Sequence, residues 1–127
     1  MPARASAPLS VEQTVLAMWK AVSERDWDTA HTFYAEDCVF IDVPVGSANA
    51  ARGPDDIVRK LRISLDPLAA YVNHPGLILT NGSVAIFEHS ETWTWLPGQS
   101  TVMHFVSVHK VLDGKITFWK DYWDMGG

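Results

Sequence analysis

Three turn signals, Asn81-Gly82, Pro97-Gly98 and Asp113-Gly114, punctuate the second half of the chain at even spacing. Asn-Gly and Asp-Gly supply the positive-φ residues that two-residue hairpin loops require, and Pro-Gly is a turn pair. Between them lie four stretches, 68–80, 83–96, 100–112 and 115–125, rich in β-branched and aromatic residues. Strands joined by tight turns run antiparallel, so the pattern predicts an antiparallel meander. Pro75-Gly76 predicts a bend or bulge in its first strand.

The first half reads differently. Ser10-Val11-Glu12-Gln13 fits a capping box, and Val11, Val15, Met18 and Val22 follow at helical spacing, flanked by Leu16 and Trp19. This predicts a first helix ending near Glu24. Asp26 is placed to cap a short second helix through Trp27, Ala30, Phe33 and Tyr34, which Ala35-Glu36-Asp37 breaks. Cys38 to Pro44 reads as a strand, and Val45 to Gly53 as a loop of small residues. Gly53-Pro54 opens a third helix that carries Ile57, Val58, Leu61 and Leu65 inward and stops at Asp66-Pro67. Helices first and a long sheet last predict an α+β domain, with helices laid on one sheet face. The 127 residues suit one domain, 10–127, behind an N-terminal arm of residues 1–9.

Composition narrows the partners. The net charge of −5, with only Arg59, Lys60 and Arg62 grouped, argues against nucleic acid. No long apolar run points to a membrane or a signal peptide, and the lone Cys38 rules out an internal disulfide, so a cytoplasmic protein is expected. Four of the six tryptophans, Trp93, Trp95, Trp119 and Trp123, fall in the last third. Such a concentration suggests a wide aromatic wall around a core or a ligand.

Strand alternation shows what shares that wall. Phe87, His89, Glu91, Trp93 and Trp95 lie on one face of the second meander strand. Trp119, Asp121, Trp123 and Met125 do so on the last, opposite Ile116, Phe118, Lys120 and Tyr122. Met103, Phe105, Ser107 and His109 are assigned inward on the third, and Cys38, Phe40 and Asp42 on the short strand. Separate strands therefore deliver Asp42, Glu91, Asp121 and His89 to one concavity. Buried carboxylates must pair, share protons or hold water, and such a set is poised for general acid–base work. No ligand spacing such as HxxxH accompanies it, so neither a metal nor another cofactor is expected. The opposite face still shows Ile86, Val106, Val108, Ile116, Phe118 and Tyr122. A sheet apolar on both faces needs cover on both, which predicts a homodimer through the outer face.

The tail Gly114-Lys115-Ile116-Thr117-Phe118-Trp119-Lys120-Asp121-Tyr122-Trp123-Asp124 closely resembles the last strand of limonene-1,2-epoxide hydrolases. Tyr34-Ala35-Glu36-Asp37-Cys38-Val39-Phe40-Ile41-Asp42-Val43-Pro44 resembles that family's first strand with its lead-in. The family belongs to the superfamily of nuclear transport factor 2, ketosteroid isomerase and SnoaL-like polyketide cyclases. The resemblance implies a cone: a strongly curved, mostly antiparallel mixed sheet wrapped over three helices, enclosing an apolar pocket, usually in a dimer. It implies that Asp121 deprotonates a water and that Glu91 protonates an epoxide oxygen. The family's bridging arginine is His89 here, its tyrosine Phe40 and its asparagine Asp42. Arginine is a permanent cation, whereas histidine can bridge two acids only when protonated.

The expectation is a cofactor-independent enzyme that adds water to an epoxide of a small apolar substrate. His89 would link Glu91 to Asp121, and Phe40, Phe87, Trp93, Met103, Phe105, Trp119 and Trp123 would form the binding wall. The alternatives are an isomerase, dehydratase or polyketide cyclase, or a non-catalytic dimeric domain that binds small molecules.

Overall fold

The computed structural model describes residues 9–43, 46–96 and 98–123. Its first helix, α1 (Val11–Ser23), starts as its spacing predicts. Ser10 Oγ accepts the Gln13 N–H at 3.0 Å, and Gln13 Oε1 accepts the Ser10 N–H at 2.9 Å. Val15, Met18, Trp19 and Val22 are buried along it. Asp26 caps α2 (Trp27–His31) by accepting the Thr29 N–H. Then follow β1 (Tyr34–Asp42), a single 3-10 turn (Ser47–Asn49), β2 (Ala51–Arg52) and α3 (Gly53–Leu65). The meander closes the chain as β3 (Ala70–Asn81), β4 (Val84–Thr94), β5 (Ser100–Leu112) and β6 (Lys115–Trp123). Among the described residues, no helix is long and apolar enough to cross a membrane.

These six strands form one curved, unclosed sheet in the order β2-β1-β6-β5-β4-β3. Only β1 and β6 pair in parallel. The core lies between the helices and the inner face, around Trp119, Phe87, Met18 and Ile57. This is the α+β architecture expected, and the hairpin residues explain it locally. Asp113 and Gly114 both hold positive φ, 52° and 75°, as a two-residue loop demands. At Pro75-Gly76 the β3–β4 register shifts as predicted. A Cβ on Gly76 would come within 2.5 Å of the Glu88 carbonyl oxygen, so the bulge admits only glycine.

Four local expectations are corrected. The first strand begins at Tyr34, not Cys38, and Ala35-Glu36-Asp37 lies within it. Tyr34 pairs with Ile116 before the register slips ahead of Val39, so the acidic run rides exposed on an irregular strand. The loop expected over 45–53 contains β2, held against Val39 and Phe40; Pro44 and Val45 lie outside the described residues, as do the arm of residues 1–8 and Met125. Ile116 is buried rather than on the outer face. Lys110 pairs with Phe118 but Val111 pairs with Ile116, and the extra residue, Thr117, reverses the parity before it. Trp95, just past the end of β4, is 40% exposed and leaves the inner wall.

Candidate active site

Each inward carboxyl comes from a different strand: Asp42 from β1, Glu91 from β4 and Asp121 from β6. Asp42 and Asp121 are register partners on the parallel pair, so they stand side by side. All three line one cavity of about 220 Å³ beneath α1 and α3. Phe40, Trp93, Phe105, Trp119 and Trp123, five residues of the expected wall, line it too. Phe87 and Met103 do not. Phe87 packs deeper against Trp19, and Met103 is half-buried towards the start of β5.

An indole N–H meets every one of these carboxyls. Trp93 donates to Glu91 Oε1 at 2.9 Å, Trp119 donates to Asp121 Oδ1 at 2.6 Å, and Trp123 donates to Asp42 Oδ1. An indole can only donate, so each bond favours the charged acid. Burial outweighs them. It pushes Glu91 up to about 7 despite the Trp93 bond, and holds Asp121 well above its ordinary range despite bonds from Ser107 and Trp119. Asp42 is raised by its partial burial, eased by Trp123 and by the positive charge of Lys60. Among the described residues, the only fully buried polar side-chain atoms without a partner are the Tyr34 and Tyr71 hydroxyls. The second oxygens of Glu91 and Asp121 make no bond either, so they are open to the cavity. Tyr71 lines the cavity beside Glu91 but makes no hydrogen bond of ordinary geometry to it.

His89 is placed otherwise than expected: it does not link Glu91 to Asp121. Its ring stacks near-parallel with Phe87 and Phe105, with centroids at 4.6 and 5.3 Å, and Trp19 lies 4.3 Å away. Held this way, its nitrogens reach Asn73 Oδ1 (2.6 Å from Nδ1) and Ser107 Oγ (2.8 Å from Nε2). Ser107 in turn bonds Asp121 Oδ1 at 2.6 Å. Burial lowers His89 to about 3, with His109 adding to the effect, so it is a neutral imidazole rather than the cation an arginine would be. His109 is also buried and lowered, to about 4. On the surface, His31 meets Asp55, His74 meets Thr92, and His104 is exposed.

Sequence reasoning missed Ser107, Asn73, Tyr71 and Lys60. Alternation places Ser107 inward but marks no role for it. Alternation extended to β3 would have put Tyr71 and Asn73 on the inner face together, since both are buried. Nothing in the sequence marked Lys60, which reaches the cavity from α3 between the core residues Ile57 and Leu61.

The fold defines the class: an α+β domain with the curved, unclosed sheet of nuclear transport factor 2- and ketosteroid isomerase-like folds. The SnoaL-like domain model matches residues 15–119, and the chain belongs to that family. No curated protein matches the sequence. Among solved structures, the chain is similar to an LEH-like epoxide hydrolase of M. tuberculosis (24% identity, 90% of this chain and 82% of that one, TM-score 0.77). It is also similar to a candidate SnoaL-like polyketide cyclase of Shewanella denitrificans OS-217 (18%, 90% of each chain, TM-score 0.80). A Catenulispora acidiphila DSM 44928 protein of ketosteroid isomerase-like fold superposes with a TM-score of 0.81 at 14% identity, over 91% of this chain and 88% of that one.

Proposed function

We propose that the protein is a general acid–base enzyme that moves a proton between carbon and oxygen of a small, largely apolar molecule, as isomerases, dehydratases and cyclases do. The observation that carries this reading is the Glu91–Asp121 pair. Both are buried at one cavity wall, where the charge of Glu91 raises Asp121 and that of Asp42 raises both. Such a pair loses its protons one at a time and so holds an acid and a base together. Asp121, whose anion receives hydrogen bonds from Ser107 and Trp119, takes the proton. Glu91 keeps its own and, with the Tyr71 hydroxyl beside it, polarises the substrate oxygen. Aromatic side chains hold the carbon skeleton.

Epoxide opening is the second reading. It is favoured by the side-by-side Asp42 and Asp121, which could hold an attacking water, and by the likeness to the M. tuberculosis epoxide hydrolase. The neutral His89 weighs against it, because no fixed cation ties the two acids together. One experiment separates them: incubation in D2O and in ¹⁸O-water with panels of enolisable polycyclic ketones and of cyclic epoxides. The proposal expects deuterium at the carbon beside a carbonyl, lost in Asp121→Asn. Diol carrying ¹⁸O without carbon exchange would replace it with the epoxide reading. Neither product, with ligand binding unchanged in Asp121→Asn, would leave a binding domain.

We also propose that two copies pair through the outer sheet face, where Val72, Leu79, Ile86, Val102, Val106 and Tyr122 are exposed. Light scattering giving a monomer mass at micromolar concentration would contradict this.

A further inference from the structure

The hydrogen bonds around His89 do not balance unless two proton positions move together. Asn73 Oδ1 only accepts, so a neutral His89 carries its proton on Nδ1, 2.6 Å away. Its Nε2 is then bare and must accept from the Ser107 hydroxyl at 2.8 Å. Ser107 has one proton. With it turned to His89, the 2.6 Å contact between Ser107 Oγ and Asp121 Oδ1 needs a proton from Asp121. If Asp121 is ionised instead, Ser107 must donate to it, and Nε2 then faces Ser107 Oγ without a proton unless His89 gains one.

We propose that Ser107 and His89 form a relay that withdraws the proton of Asp121 on the side away from the cavity. The transfer is balanced within the chain. Asp121 gives its proton to Ser107 Oγ as Ser107 gives its own to His89 Nε2, leaving an Asp121 carboxylate and a His89 imidazolium still bonded to Asn73. The inference rests on the reading of Asp121 as the base. It shows how a buried acid becomes one without opening the cavity to water. His89 is thus a positioning and proton-storing residue, transiently supplying positive charge behind Asp121.

The far end of the relay lies close to solvent. Asn73 lines a cleft between α1 and β3, together with Lys20, Ser23 and Glu24, and so brings His89 within one residue of solvent. The titratable groups on the inner face around His89 are Glu91 on its own strand, His109 on β5 and Asp121 on β6; it also borders a second pocket lined by His74 of β3, Glu88 of β4, His104 of β5 and Tyr122 of β6. From α1 it meets only the Trp19 ring, with Lys20 and Glu24 beyond it at the cleft. Trp19, Phe87 and Phe105 pack around the ring and Ser107 is bonded to Nε2, so the proton meets no competing acceptor there.

The test needs no substrate. Long-range ¹H–¹⁵N NMR reads the ring nitrogens of His89, and ¹³C NMR the Asp121 carboxyl, across a pH series. Wild type is expected to show the Nδ1–H tautomer at neutral pH, with the Nε2 signal shifting in the same step as Asp121. Ser107→Ala should abolish that shared step, and Ser107→Thr, which keeps the hydroxyl, should restore it. A His89 in the Nε2–H tautomer overturns the relay, as does a shared step that survives in Ser107→Ala. Should Ser107→Ala not fold, the wild-type tautomer and Ser107→Thr decide alone. Coupled titration in a protein that exchanges no carbon-bound proton would keep the relay and remove the proposed activity. Exchange without coupling would do the reverse.

Discussion

Two buried histidines stand on neighbouring strands of the inner face, and only one reaches the site. His109 is fixed by the backbone and the core: Nδ1 lies 3.2 Å from the Ala85 carbonyl oxygen, and Nε2 accepts the Trp19 indole N–H at 3.0 Å. Both its partners are held in place, and neither ionises. His89 is as well buried and as strongly pushed towards neutrality, but its bonds go to an amide and to a hydroxyl that touches a carboxyl. Burial and a lowered pKa therefore do not distinguish a structural histidine from a functional one. What distinguishes them is whether the next group along can take a proton.

That contrast can be attacked first at the carboxyl on which it depends. Asp121→Asn keeps the shape of the acid and removes the base, so turnover of any accepted substrate should fall roughly 10²–10⁴-fold. Ligand affinity, measured by tryptophan fluorescence, should hardly change. Glu91→Gln should cost about 10²-fold in rate, mostly in kcat, because it removes the proton donor and leaves Asp121 its partners. Equal losses in KM alone would mean that these acids only bind.

His109→Leu sharpens the other side. It leaves the Trp19 N–H buried without an acceptor, so chemical denaturation should show a loss of about 1–3 kcal/mol. The shape of the pH–rate profile should stay as in wild type. His89→Gln should alter that shape. If the two substitutions move the profile alike, the distinction drawn between the histidines fails.

The smallest expected effect is on stability against pH. Apart from the transient transfer from Asp121, both histidines stay neutral in the fold down to about 3 and about 4, while an unfolded histidine takes up a proton near its ordinary 6.5. Between those values the unfolded chain binds more protons, so their contribution is complete above 6.5 and is lost as pH falls towards 4. Glu91 acts in the opposite sense. Raised from 4.5 to about 7, it stays protonated in the fold where the unfolded chain has ionised, so its contribution is present below 4.5 and is lost as pH rises through 7. Denaturation midpoints should therefore decline above pH 6.5, and Glu91→Gln should flatten that decline. A midpoint still rising from pH 6.5 to 8 would contradict the assignment.

Much of the fold was legible in the sequence because its signals were local. The hairpin dipeptides, the Ser10–Gln13 box and the alternation along β4 and β5 each depend on neighbours a few residues apart. Alternation also placed Asp42, Glu91 and Asp121 on one face, and they do share a cavity wall. It misplaced Ile116 because a single inserted residue, Thr117, reverses parity without leaving a mark in composition. It missed β2 because two residues are too short to show any period. The bonding of His89 was not legible at all. It depends on which way a ring wedged between Phe87 and Phe105 turns its nitrogens, and on Asn73 arriving from a strand beyond a bulge.

The central claim is that Glu91 and Asp121 share protons across one cavity. A ¹³C NMR titration of the two carboxyls tests it most directly. Two separate steps are expected, both above the ordinary carboxylate range, with the Asp121 step moving down when Glu91 is replaced by Gln. Two independent titrations below pH 5, each indifferent to the other's removal, would contradict the account.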